Sequence, residues 1–212
     1  MSKGRPRNEA LCMSLLKIAR LGHPVLRHPA SPVADAMAPG IQKLANDMVE
    51  TLIDARGVGL AAPQVHESLR VIVVTLPPDN DGAPSGDYHH LVGGQVPAGR
   101  RAVGGRVPVV LINPVLTPLD PFTDGGYEGC LSIPGLRGSV PRYPRVAVEA
   151  QDGAGQPVQF EADGYEARIL QHEVDHLDGI LYLDRMVDMR SLAFDTEMHH
   201  LLNVPHRDRG TS

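Results

Sequence analysis

The sequence has few cysteines, no excess of basic residues and no long apolar run, and each absence excludes a class of protein. Its two cysteines, Cys12 and Cys130, lie far apart, so we expect a reduced, intracellular protein rather than a disulfide framework. The formal net charge is −5, whereas a general nucleic-acid binder normally carries a basic excess, so no DNA partner is expected. Because the sequence contains no stretch of about 18 consecutive apolar residues, no membrane span is expected either.

The composition and length predict one globular domain with many loops. Hydrophobic residues make up 42% of the 212 residues, enough for a core, while 22 glycines and 19 prolines favour irregular connections. We predict a single domain over residues 15–203, flanked by a flexible extension (1–14) and a tail (204–212). The polar stretch 77–106 has no periodicity and predicts a long surface loop. The basic amino terminus lacks the apolar core of a secretory signal, so we expect a cytoplasmic protein, although its arginines leave organelle targeting open.

Apolar periodicity predicts a mixed α+β fold. Helical spacing indicates helices over 41–55 and 165–179, and Ser191 is placed to begin a third helix ending near residue 202. Runs rich in β-branched residues predict strands at 69–76 and 107–114, and a turn signal between 145–150 and 156–162 predicts a hairpin. We therefore expect a single domain in which mixed or antiparallel sheets pack around a central helix, the one at 165–179.

The helix predicted at 165–179 carries the strongest functional signal, the sequence His172-Glu173-Val174-Asp175-His176. Histidines four residues apart lie on one face of a helix, so both imidazoles can bind one ion. Glu173 can then reach a water molecule on that ion, as in HExxH hydrolases. Such pairs also occur by chance on solvated helix faces, as His199-His200 illustrates, so a third ligand is needed to define the site.

Two residues compete for the place of the third ligand. Tyr182 stands where one zinc-protease pattern requires histidine, but Glu197 lies at a spacing that fits a second such pattern. Cys130 lies upstream in the segment GGYEGCLS, where the glycine before it allows the backbone to approach an ion closely. A free cysteine is also commonly a small buried hydrophobic residue. Spacing alone leaves this choice open.

Three segments occur together in an order that resembles the signature motifs of peptide deformylases: GVGLAAPQ at 57–64, EGCLS at 128–132 and QHEVDH at 171–176. The stretch LGHPVLRHPASPV at 21–33 also resembles the amino-terminal part of that family, and the likeness covers about residues 17–190. Three motifs in order are far more specific than one. The resemblance favours Cys130 over Glu197 as the third ligand.

The resemblance implies an enzyme that removes the formyl group from the starting methionine of nascent polypeptides and releases formate. It implies Cys130, His172 and His176 as metal ligands with a fourth position left for water. Glu173 would move the proton, and the Gln64 side-chain amide and the Leu131 backbone N–H would stabilise the developing oxyanion.

The same resemblance implies a set of substrate-binding residues. Backbone groups of the glycine-rich segments would pair with an extended peptide, helix residues would line the methionine pocket, and an arginine would lie near the mouth of the site. In that order, these residues are Val58, Gly59 and Gly129; Ile169 and Tyr165; and Arg137.

The family implies one divalent ion, Fe2+ natively, with Zn2+, Ni2+ or Co2+ as substitutes. It also implies formylmethionyl nascent peptides as partners, and the positively charged final segment suggests contact with the ribosome. Two other functions remain open at this stage: an HExxH zinc endopeptidase that uses Glu197, and a non-catalytic peptide-binding module of the same fold.

Overall fold

The computed structural model describes residues 14–76 and 105–202. Its helices are α1 (Pro39–Asp54), α2 (Gly164–Leu177), α3 (Tyr182–Arg185) and α4 (Met198–Leu202). Its strands are β1 (Gly59–Ala61), β2 (Val71–Leu76), β3 (Val107–Pro118), β4 (Asp124–Cys130), β5 (Ile133–Arg142), β6 (Arg145–Asp152), β7 (Pro157–Asp163) and β8 (Ala193–Phe194). Short 3-10 turns lie at Pro24–Arg27, Ala62–Val65, Met189–Ser191 and Asp195–Glu197.

The strands form two antiparallel sheets. The larger sheet has the order β1-β2-β3-β6-β7, and the smaller has the order β4-β5-β8. The predicted mixture of helices and antiparallel sheets in one domain is therefore confirmed. No helix among the described residues is long and apolar enough to cross a membrane.

The larger sheet is covered on both faces, which explains why β2 is buried along its whole length. Successive side chains of a strand point to opposite faces. Ile72 and Val74 belong to the cluster formed with Ala167 and Leu170 of α2, whereas Val71 and Val73 pack with residues of α1, including Met48 and Leu52. The apolar face of the central helix α2 thus holds the helix against the larger sheet. Polar side chains can therefore occupy its other face.

The smaller sheet sets the position of the second motif. Ile133 and Val140 of β5 pack with Leu26, Leu181 and Tyr182 in a third apolar cluster. Strands β4 and β5 pair regularly from Asp124 to Gly129, and the register then shifts between Gly129 and Cys130. This irregularity ends β4 and turns the chain at Cys130.

The structure confirms most predicted elements and corrects two. The helices predicted at 41–55 and 165–179 and the hairpin at 145–162 are present. Strand β3 continues past the predicted end at Pro114, because a bulge between Ile112 and Val115 absorbs the Asn113-Pro114 step, with Asn113 at a φ of 53°. Sequence patterns did not identify β1, β4 or β5.

The helix predicted from Ser191 to residue 202 is wrong over most of its length. Ala193 and Phe194 instead pair with Arg137 and Leu136 of β5, a 3-10 turn follows at Asp195–Glu197, and α-helical structure begins only at α4. Tertiary pairing has overridden local helical preference here. Residues 1–13 of the predicted extension, most of the long loop and the tail lie outside the described residues, so their boundaries remain predictions.

Candidate active site

Helix α2 presents both histidines of the HExxH segment on its polar face. The rings of His172 and His176 have centroids 5.0 Å apart, and both side chains are buried, as is Glu173. One turn of helix separates the two histidines, which accounts for this spacing. The structure therefore shows the arrangement expected for two histidines four residues apart on a helix.

Cys130 reaches this histidine pair from the end of β4. Its Sγ lies 3.2 Å from Nε2 of His176, and the three potential ligand atoms of Cys130, His172 and His176 all lie within 4.8 Å of one another. Glu197, the competing third ligand, is 60% exposed and its carboxylate lies 3.6 Å from His200 instead. The structure thus brings the thiol to the histidines and leaves Glu197 on the surface.

The chemistry of this cluster fits a divalent metal ion. One thiolate and two imidazoles form a donor set suited to zinc or ferrous iron. Beside it, Oε2 of Glu173 is buried and has no hydrogen-bond partner among the described protein atoms. Burying a carboxylate oxygen without a hydrogen-bond partner costs free energy. A bound polar group, such as a water molecule or a ligand, would provide the partner that the described protein atoms do not.

Glu128 fixes the orientation of His172. Its Oε2 lies 2.8 Å from Nδ1 of His172, and its carboxylate also accepts hydrogen bonds from Arg142 and Arg168. Burial alone would raise the pKa of Glu128, but the bonds from His172 and Arg142 hold it at about 2. Glu128 is therefore ionised, Nδ1 of His172 carries the proton, and Nε2 is left to face the cluster.

Sequence reasoning missed this role of Glu128, although a signal for it existed. Glu128 belongs to the EGCLS segment and lies two residues before Cys130, so an ionisable side chain close to the candidate thiol ligand is visible in the sequence. The partner arginine, Arg142, is buried and also contacts Asp175 of α2 at 2.5 Å. The ion pairs therefore join β4, β5 and α2 directly behind the candidate metal ligands.

Replacing Glu128 with Gln should weaken metal binding by about ten- to a hundredfold, because the amide no longer holds His172 as a charged acceptor does. Competition for zinc with a chelator measures this change. Glu161→Gln, which alters an exposed carboxylate on β7, serves as the matched control. Equal zinc affinity in the Glu128 variant and the wild type would show that the hydrogen bond between Glu128 and His172 does not strengthen metal binding.

Burial also shifts the pKa of Glu173 and the pKa of His176. Burial raises the pKa of Glu173 to about 7, helped by the negative charge of Glu128 and opposed by His172 and Arg142. Burial lowers the pKa of His176 well below its ordinary value, which favours the neutral imidazole that a metal requires.

The Gln64 amide is held in a defined orientation next to Cys130. Its Oε1 accepts a hydrogen bond from the backbone N–H of Ala61 at 2.8 Å, so its Nε2 must point the other way. That nitrogen lies 3.2 Å from Oγ of Ser132 and 3.5 Å from Sγ of Cys130. The amide donor predicted from the first motif therefore lies beside the candidate ligands.

A cleft of about 530 Å³ opens onto this cluster. The residues predicted for catalysis and substrate binding line it, namely Val58, Gly59, Gln64, Gly129, Cys130, Leu131, Arg137, Tyr165, Ile169, His172 and Glu173. Tyr165 is 53% exposed at its rim, whereas Ile169 is buried and also belongs to the core cluster. The carbonyl of Val58 already accepts hydrogen bonds from the backbone and side chain of Thr75, so Val58 has only its N–H to offer a peptide.

Gly59 allows Glu173 to take its position. A Cβ atom at residue 59 would lie 2.2 Å from Oε1 and 2.6 Å from Cδ of Glu173, far inside van der Waals contact. The first motif therefore needs glycine at this position because the carboxylate packs directly on its backbone.

Gly59→Ala should lower the turnover number by about a hundredfold, since the added methyl group must displace Glu173 from its position. Steady-state kinetics together with a thermal melt separates this effect from simple unfolding. Gly40→Ala is a suitable control, because a Cβ atom there would meet nothing within 4 Å. Wild-type turnover in the Gly59 variant would show that turnover does not depend on Glu173 occupying this position.

Comparison with known proteins gives a consistent result. The family model described as polypeptide deformylase matches residues 15–191. Peptide deformylase 1 of Bordetella pertussis is 40% identical over 84% of this chain and 90% of its own, and the peptide deformylase of Thermus thermophilus is 44% identical over 82% and 83%. The crystal structure of peptide deformylase from Thermotoga maritima matches with a TM-score of 0.65 and 36% identity, covering 82% of this chain and 99% of that one.

Proposed function

Because this chain belongs to the polypeptide deformylase family, and is an enzyme that removes the N-terminal formyl group of nascent polypeptides, we propose that Cys130, His172 and His176 hold its metal ion. Glu173 is the proton-transfer group of the same site. The observation that carries the proposal is the convergence of three ligand atoms within 4.8 Å of one another, beside a cleft that Cys130 and His172 line. A metal bound there supplies Lewis acidity and lowers the pKa of a water molecule towards neutrality.

Glu173 is positioned to move one proton during hydrolysis of the formamide bond. Its carboxylate lines the cleft, and Oε2 has no partner among the described protein atoms, so it is available to an attacking water molecule. The carboxylate accepts the proton of that water and then delivers it to the departing amine nitrogen. The absence of a side chain at Gly59 leaves the space that the Glu173 carboxylate occupies.

Two donors stabilise the negative charge that develops on the formyl oxygen. The Gln64 amide is preoriented by Ala61, and the Leu131 backbone N–H follows Cys130 directly. Preorganised donors of this kind are effective because they need not reorient as the charge forms.

The cleft provides for the rest of the substrate. The backbones of Gly59 and Gly129 and the N–H of Val58 pair with an extended peptide, as in addition of a strand to a sheet edge. Ile169 and Tyr165 contact the methionine side chain, and Arg137 lies near the cleft mouth. Metal-loaded protein should release formate from formyl-Met-Ala-Ser and none from the acetylated peptide, and equal inactivity towards both would refute this function.

We further propose ferrous iron as the native ion, since the thiolate and imidazole donors accept it as well as zinc. Protein loaded anaerobically with Fe2+ should release formate faster than the zinc form. Equal or slower turnover of the iron form would reject this choice of metal.

Cytoplasmic location and contact with the ribosome are also proposals, and they rest on sequence alone. The positively charged residues 204–212 lie outside the described residues, and their charge suits an RNA surface. Deletion of these residues should weaken binding to ribosomes in a sedimentation assay, and unchanged binding would exclude the contact.

A further inference from the structure

The C-terminal part of the domain places a carboxylate on the wall of the cleft. Asp195 begins the 3-10 turn after β8, and it lines the cleft together with Arg137. Its Oδ1 lies 2.5 Å from Nε of Arg137, and both side chains are about half exposed. Asp195 therefore pairs with the arginine that the family resemblance placed near the mouth.

Strand pairing fixes Arg137 beside the peptide-binding backbone. Arg137 pairs with Gly129 of β4 on one side and with Ala193 of β8 on the other. A Cβ atom at Gly129 would lie 3.5 Å from Cγ and 3.8 Å from Nε of Arg137. The arginine side chain thus crosses the backbone of Gly129, one residue from Cys130.

If the substrate peptide extends along Gly129 away from the metal ligands, the residues that follow its methionine lie next to the Arg137 side chain. An extended chain advances about 3.3 Å per residue, so the second or third residue of the substrate comes within a few ångströms of the Arg137 guanidinium. An unpaired arginine at this point would attract acidic chains and repel basic ones.

We propose that Asp195 determines specificity at this edge of the cleft. It pairs with Arg137 and cancels one positive charge, so that nascent chains with basic residues after methionine are accepted. Asp195 acts through Arg137 and takes no part in the chemistry. The inference rests on the proposed function, because it assumes that the peptide extends along Gly129.

Four metal-loaded variants test the inference: Asp195→Asn, Asp195→Glu, Arg137→Gln and the control Asp188→Asn. Asp188 is another ion-paired aspartate of the same segment, with its Oδ2 2.8 Å from Arg190, and it does not line the cleft. The substrates are formyl-Met-Ala-Glu-Ala-amide and formyl-Met-Ala-Lys-Ala-amide, with a neutral serine peptide as reference. The quantity measured is the ratio of kcat/KM for the acidic peptide to kcat/KM for the basic one.

Asp195→Asn should raise this ratio about threefold, through KM rather than kcat, because an exposed charge has a modest effect. The change should disappear at about 1 M salt, where the screening length falls to about 3 Å. Asp195→Glu should restore the wild-type ratio, Arg137→Gln should lower it, and Asp188→Asn should leave it unchanged.

An unaltered ratio in Asp195→Asn, with normal formate release from the neutral peptide, would overturn the inference and leave the proposed function intact. Equal losses on all three peptides would also overturn it, since they indicate a purely structural role. Failure of the wild type to release formate from the neutral peptide would instead refute the proposed function.

Discussion

Glu173→Gln should reduce formate release by about a hundred- to ten-thousandfold while the metal content stays at the wild-type level, because the amide cannot accept the proton of the attacking water. The substitution keeps the size of the side chain, so the contact with Gly59 is preserved. It also leaves the Cys130 thiol and both imidazoles unchanged. Single-turnover release of formate and metal analysis of the same sample measure both effects.

Helix α2 offers a matched control for this change. Glu166 lies two turns before Glu173 and is also buried, but its carboxylate pairs with Arg106 at 2.7 Å and does not line the cleft. Glu166→Gln should therefore retain turnover at the wild-type level per folded molecule. Comparable activity in Glu173→Gln would mean that another group transfers the proton.

Cys130→Ala should lose most of its bound metal and with it all measurable deformylation, since two imidazoles alone hold a divalent ion weakly. Cys130→Ser, which offers a hard oxygen in place of the thiolate, should bind zinc far less tightly than the wild type. Metal content after dialysis and a zinc titration measure both variants. The other cysteine, Cys12, provides the thiol control as Cys12→Ala, which should retain metal and activity.

The fold itself should survive the loss of this thiol. Cys130 is only partly buried against the third apolar cluster, while the two clusters around the larger sheet do not include it. Circular dichroism checks that Cys130→Ala remains folded. A folded Cys130→Ala variant that keeps its full complement of metal would contradict the assignment of Cys130 as a ligand. It would indicate that other residues bind the metal.

The part of the site that sequence could predict lies on α2. Local periodicity fixes the face of a helix, so His172, Glu173 and His176 could be placed together from their spacing alone. The proposed third ligand could not be placed in this way, because Cys130 reaches the histidines only through the pairing of β4 with β5. Spacing left Glu197 open as an alternative to Cys130, and the family resemblance was needed to choose between them.

What sequence missed depends on contacts between distant segments. Glu128 of β4 contacts His172 and Arg168 of α2 and Arg142 of β5, three elements that only the folded chain brings together. The C-terminal segment was assigned to a helix on local preference, yet two of its residues add to the edge of the smaller sheet. The same segment places Asp195 on the cleft wall. Because the sequence predicted a helix there, Asp195 was not recognised as a candidate specificity residue.

X-ray absorption at the metal edge of the loaded protein tests the ligand assignment most directly. For the zinc form, one sulfur at about 2.3 Å and two imidazole nitrogens at about 2.0–2.1 Å are expected, with the sulfur shell lost in Cys130→Ala. A spectrum of the wild type with only nitrogen and oxygen neighbours would contradict the assignment of Cys130, His172 and His176 as the metal ligands.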